Sequence, residues 1–171
     1  MPPSLRLLFL TSLLSAAACA AAHVLTFVEI AFYPVLVFVP LLFLVWPLVV
    51  WQLRRIPRKN IFSEIFSTIP QRLKLGTALL FAYVFINFFV CLRLNDGGEP
   101  VRLAENKWVL KTQEKIIREL TPEAFRHAQA IQVRLLTGHL LVCFALAAVA
   151  THICWLKTGP AMADAKLSPS D

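Results

Sequence analysis

The run Thr121–Leu156, TPEAFRHAQAIQVRLLTGHLLVCFALAAVATHICWL, reads as one unbroken helix that begins in water and ends in lipid. Thr121 is a good N-cap, Pro122 suits the first helical position, and Glu123 complements the positive end of the peptide dipoles. The first half, TPEAFRHAQAIQVR, is polar and punctuated, whereas LLTGHLLVCFALAAVATHICWL is apolar nearly throughout. About 36 residues at about 1.5 Å of rise give a helix of roughly 54 Å. A bilayer crossing uses about 30 Å of that. A span over about 135–156 therefore lies in the membrane, and roughly four turns project from it. Lys157 and Gly159-Pro160 are expected to stop the helix, leaving 158–171 as a disordered cytoplasmic tail.

The rest of the composition agrees with lipid as the solvent. Only 16% of the 171 residues are charged and 58% are hydrophobic, where a soluble domain carries about 25% charge to cover its surface. The missing charge is absent from long blocks and concentrated between them. The net charge of +7 sits beside the apolar blocks, which is the signature of membrane orientation and not of a nucleic-acid partner. Cys19, Cys91, Cys143 and Cys154 fall in or at the end of apolar blocks without a CxxC pair, so they read as small buried side chains and not as a metal or disulfide framework.

Immediately before the long helix lies a small module over 95–120. Asp96-Gly97-Gly98 is a turn signal. Val101–Leu103 and Lys107–Leu110 read as two short strands around a Glu105-Asn106 turn, with Ile116-Ile117 a candidate third strand. Its charges nearly balance. By contrast, the loop at 54–74 carries Arg54, Arg55, Arg58, Lys59, Arg72 and Lys74 against Glu64 alone. Short loops rich in Lys and Arg stay cytoplasmic, so the module over 95–120 is placed in the periplasm and both termini in the cytoplasm. Within the basic loop, IFSEIFSTI reads as a short amphipathic helix on the inner leaflet.

Three further spans complete the set, at about 5–23, 32–53 and 75–94, each long enough for a ~30 Å hydrocarbon layer. The first resembles a secretory signal peptide in its single arginine and its alanine run, and is read as an uncleaved helix. Pro34, Pro40 and Pro47 predict a kinked second span, tolerated because neighbouring helices satisfy freed carbonyls. The third carries Tyr83 and Asn87 on one helical face, placed there to join helices or to line a site. The fold class is thus an all-α membrane bundle of about four helices, with a periplasmic module containing a β-hairpin and a long final helix projecting outward.

Several residues are candidates for chemistry or binding. Glu29 stands in an apolar run, where a charge is expensive. It is either a proton or cation site in the bundle or an interfacial residue of the short connection near His23 and Pro34. His139 lies about one turn inside the expected boundary, behind Arg134 and Gly138. The alternatives for it are haem or metal ligation, a proton relay, or an interfacial histidine hydrogen-bonded to the small module, with Gly138 allowing close approach. His152 is about 140° away around the helix, so one helix does not offer two aligned ligands, and His139 with Cys143 makes a weak metal pair. Trp108 marks the small module as a contact surface. No phosphate loop, HExxH or nucleotide fingerprint occurs, so no catalytic residue, metal or cofactor is assigned.

The motifs NDGGEP (95–100), WVL (108–110), IIRELTPE (116–123), QA (129–130) and RLLTGH (134–139) resemble those of a widespread family of small four-span bacterial inner-membrane proteins. Members of that family usually carry an aromatic residue after the Gly-His pair, where Leu140 stands here. The resemblance implies topology and directs attention to Arg134, Gly138 and His139. It implies no activity. Two classes of function remain. One is a non-catalytic accessory or immunity-type protein that contacts lipid and binds a protein partner, or a second copy of itself, through the periplasmic module. The other is a small transport, ion-conducting or redox (haem or quinone) component using Glu29, Asn87 and His139.

Overall fold

The computed structural model describes residues 1–54, 69–105, 107–113 and 115–167, of which 158–167 are described as backbone alone. The expected inner-leaflet helix over IFSEIFSTI, apart from Ile69, and the turn residue Asn106 lie outside these residues. Among the described residues, four helices are long and apolar enough to cross a membrane, and the chain is a membrane protein built on them.

Helix α1 spans Pro3–Leu25 and continues as a 3-10 turn over Thr26–Val28. Proline in its first turn costs nothing, because those N–H groups have no partner within a helix. The segment ends in a left-handed cap. Ile30 N–H donates to the Leu25 carbonyl (3.1 Å) and Glu29 N–H to Thr26 (3.2 Å), with Glu29 at φ 60. This is a Schellman closure made with a glutamate where glycine is usual. After a second 3-10 turn, Tyr33–Val37, helix α2 covers Phe38–Leu53. The prolines divide their effects. Pro34 opens the 3-10 turn, Pro40 falls in the first turn of α2, and Pro47 alone sits in the helix interior.

Helix α3, Gln71–Leu94, starts directly after Pro70 and closes with a second Schellman motif. There Gly97 N–H reaches the Leu92 carbonyl at 2.8 Å and Asp96 N–H reaches Arg93 at 3.3 Å, with Asp96 at φ 49 and Gly97 at φ 67. The Asp-Gly turn read from the sequence is this cap.

Three antiparallel strands follow in the order β1-β2-β3: β1 Glu99–Ala104, β2 Lys107–Thr112 and β3 Lys115–Leu120. The all-α description is corrected accordingly, since the hairpin is extended by a third strand into a sheet. Both outer strands slip register against β2, at Leu103 in β1 and at Ile117 in β3. Val109 and Leu110 are buried, and Trp108 meets Phe125 with ring centroids 6.4 Å apart. Added β-carbon atoms explain one glycine: at Gly98 the atom would lie 2.8 Å from Ile117 Cδ1 and 2.9 Å from Leu110 Cγ.

Helix α4 is Pro122–Leu167. Thr121 caps it through its hydroxyl, which accepts from Ala124 N–H at 3.2 Å. The expected stop at Lys157 is not observed, and the helix carries on through Gly159-Pro160 to Leu167. The run AMADAK after the proline is rich in strong helix formers, and a single proline removes one hydrogen bond without forbidding the turns that follow it.

All three other helices pack on α4, while α2 and α3 scarcely touch each other. Helix α1 runs antiparallel to α4. His23 meets Thr137 near one end, and Leu5 meets Cys154 near the other. Ser12, Ser15, Ala16, Cys19 and Ala22 are buried along that seam, where small side chains let helices approach closely in lipid. Phe144, Leu140, Val133 and Ala147 receive them, together with Val35, Val45 and Val49 from the second span. Helix α3 is also antiparallel, joined where Asn95 Nδ2 donates to the Ala128 carbonyl at 3.1 Å. The sheet therefore lies at one end of the bundle, and Arg54, Arg72 and Lys74 lie at the other.

Candidate functional site

The most polar part of the bundle lies where α1 ends against α4, one layer below the sheet. Arg134 projects from α4 onto the last turn of the first span. Its Nε donates to Thr26 Oγ1 at 3.1 Å and its Nη2 to the Thr26 carbonyl at 3.0 Å. Its Cζ lies 4.0 Å from the centroid of Phe27, a cation–π contact. A cation thus meets the negative end of the peptide dipoles and a carbonyl that otherwise accepts only the capping Glu29 N–H at 3.2 Å. Thr26 is itself buried and returns its hydroxyl proton to the His23 carbonyl at 2.6 Å.

His23 is the hub of the adjoining network and is 4% exposed. Its Nδ1 lies 2.9 Å from Thr137 Oγ1 and its Nε2 lies 2.6 Å from Tyr83 Oη. The Thr137 hydroxyl already donates to the Val133 carbonyl at 2.8 Å. It must therefore accept from His23 Nδ1–H, which leaves Nε2 to accept from the tyrosine. Tyr83, His23 and Thr137 thus form a directed chain across α3, α1 and α4. The chain ends on a main-chain carbonyl, so it has no onward acceptor for a proton. Its chemistry is that of a lock between helices.

Asn87 and Gly138 lie beside this chain. A β-carbon at Gly138 would stand 3.3 Å from Asn87 Nδ2 and 3.5 Å from His23 Cε1, so the glycine admits two polar side chains against the helix. Asn87 Oδ1 accepts a weak bond from Cys91 Sγ at 3.6 Å. Asn87 Nδ2 is buried and has no hydrogen-bond partner among the described residues. Close approach at Gly138 was expected, and the neighbours are these side chains.

The other candidates separate from this cluster. Glu29 lies at the turn after α1, exposed, with Oε1 3.0 Å from His127 Nδ1. His139 is exposed on α4, and its Nδ1 lies 2.7 Å from the Leu135 carbonyl of its own helix. Of the alternatives for His139, a bond to the small module is not seen among the described residues, its Nδ1 being turned to its own helix. His139 instead meets Phe88 edge-on at 5.6 Å and faces the open groove between α2 and α3. Trp108 sits on the sheet against Phe125. Arg134, Gly138 and Asn87 thus come together, while Glu29, His139 and Trp108 stand in three other places. Among the described residues, no three His, Cys, Asp or Glu side chains converge as metal ligands do.

His23 and Thr26 carry the cluster without having been singled out from the sequence. The available signal was the spacing Ser12, Ala16, Cys19 and His23, a four-three-four repeat of small and polar residues that marks one helical face. No protein-family model, curated protein or solved structure matches the chain.

Proposed function

We propose that this is a non-catalytic bacterial inner-membrane protein, an accessory or immunity-type subunit that binds a protein partner through its sheet-bearing head. On this reading the head stands in the periplasm, and both termini and the basic loop stand in the cytoplasm. The orientation rests on the excess of Arg and Lys at the end of the bundle opposite the sheet. Kinship with the four-span family rests on the motifs of residues 95–139.

One observation carries the reading. The head is mounted on a helix locked to its neighbours just beneath it by the Arg134–Thr26 and His23 contacts, while both outer strands present unpaired edges to solvent. Leu103 and Ile116 are 49% and 46% exposed there, and exposed strand edges with apolar residues mark sites of pairing with another chain. The reading as a transport or redox component draws less support, since Glu29, Asn87 and His139 do not converge. A photocrosslinking residue in place of Ile116 or Leu103 is expected to capture one discrete protein in the native host. The same residue in place of Phe43, on a lipid-facing helix, is expected to capture none. Equal labelling from all three positions overturns the reading.

A further inference from the structure

Three clefts follow one another down α4 from the sheet end, each sharing lining residues with the next. The uppermost is a cleft of about 340 Å³ between the end of α3, β1, β2 and α4. Gln132 and Leu135 line this cleft and also the next, of about 430 Å³. Phe88 and His139 line that one and also a third, of about 440 Å³, which reaches Leu146. The three spaces therefore share walls in sequence. The lower two are apolar, as expected where α2 and α3 leave one face of α4 uncovered.

The mouth is more polar than the slots below it and carries both signs of charge. Glu99 and Lys111 are opposite one another on β1 and β2, and both line the upper cleft. The ion pairs among the described residues join Lys107 to Glu119, Arg118 to Asp96, Arg126 to Glu123 and His127 to Glu29. Glu99 and Lys111 are thus not spent on each other. Gln132, exposed on α4, adds an amide to the lining, and the mouth lies beside Asn95 and Gly97, where the third span ends.

We propose that this row of clefts binds one zwitterionic phospholipid, its phosphoethanolamine headgroup in the upper cleft and one acyl chain along α4 to Leu146. Lys111 and Gln132 donate to the phosphate, and Glu99 accepts from the ammonium. The dimensions agree: Gln132 to Leu146 is about 21 Å along the helix, and one leaflet with its headgroups is about 20–22 Å thick. A charged head at the span boundary above an apolar slot is the pattern of an amphiphile.

The test is native mass spectrometry of the full chain released from nanodiscs holding equal phosphatidylethanolamine and phosphatidylglycerol with identical acyl chains. One phosphatidylethanolamine is expected to stay bound, about tenfold enriched over phosphatidylglycerol, the scale of one charge-assisted hydrogen bond. Glu99→Gln is expected to erase that preference, and Lys111→Gln to lower retention of both lipids about tenfold. Leu135→Trp, which closes the passage between mouth and slot, is expected to abolish retention while leaving the exposed mouth intact. Equal retention of the two lipids by the unaltered chain, no retained lipid, or retention unchanged in the charge variants overturns the assignment.

Discussion

Arg134 holds both oxygens of Thr26, the hydroxyl at 3.1 Å and the carbonyl at 3.0 Å, and so fastens the end of the first span to α4. Two charge-assisted bonds and a ring contact sit at one residue. Arg134→Leu is expected to destabilise the fold by about 2–4 kcal/mol, because hydrogen bonds to charged groups each contribute roughly 1.5–3 kcal/mol and are not fully additive. Arg134→Lys is expected to recover less than half, since an ammonium cannot present the planar fork. Reversible unfolding in mixed micelles measures both. A leucine variant as stable as the parent would show the contact to be incidental.

Gly138 and Asn87 make a pair that a double-mutant cycle can read. Gly138→Ala places a methyl 3.3 Å from Asn87 Nδ2 and is expected to cost about 1–2 kcal/mol by overpacking. Combined with Asn87→Ala, the alanine at 138 is expected to cost less than about 0.5 kcal/mol, because the obstructing amide is gone. Purely additive losses contradict the contact.

Glu29 is expected to behave as a helix cap with a weak surface pair. The left-handed conformation costs a residue other than glycine about 1–2 kcal/mol, while its half-exposed partnership with His127 returns at most about 0.5 kcal/mol after solvent screening. Glu29→Gly is therefore expected to stabilise the protein by roughly 0.5–1 kcal/mol, and Glu29→Ala to weaken it slightly. Loss of fold or of growth-linked function in the glycine variant would point instead to a working carboxylate.

Orientation is open to a direct measurement. With cysteine introduced at Lys115 and at Arg54, a membrane-impermeant thiol reagent is expected to label the first in intact spheroplasts and the second only after lysis. Labelling of both from outside would reverse or dissolve the topology inferred from the charge asymmetry.

The features that could be read from the sequence are those fixed by neighbours in the chain. Thr121-Pro122-Glu123 announces the start of α4, Asp96-Gly97 announces the cap of α3, and the apolar run Trp108-Val109-Leu110 after the Glu105-Asn106 turn announces β2. The missed features depend on distant partners. His23 follows an alanine run and resembles a residue of a connecting loop until Tyr83 and Thr137 are seen at its two nitrogens, 60 and 114 residues away. His139 drew attention because it is ionisable and lies within a span, yet its hydrogen bond is spent four residues back on its own helix. The end of α4 was misplaced because Gly159-Pro160 is a strong local stop signal and the alanine-rich run beyond it is a stronger reason to continue.

The helix that every other described helix packs against also follows them in the chain. The three spans before it enter the bilayer before their common neighbour exists, so each has to be apolar enough to remain there alone. During that interval Thr26 lacks Arg134 and His23 lacks Thr137. Arrival of α4, bringing Thr137, Gly138 and Arg134, is the event that turns three loosely held helices into one body. Assembly thereby waits on the synthesis of α4.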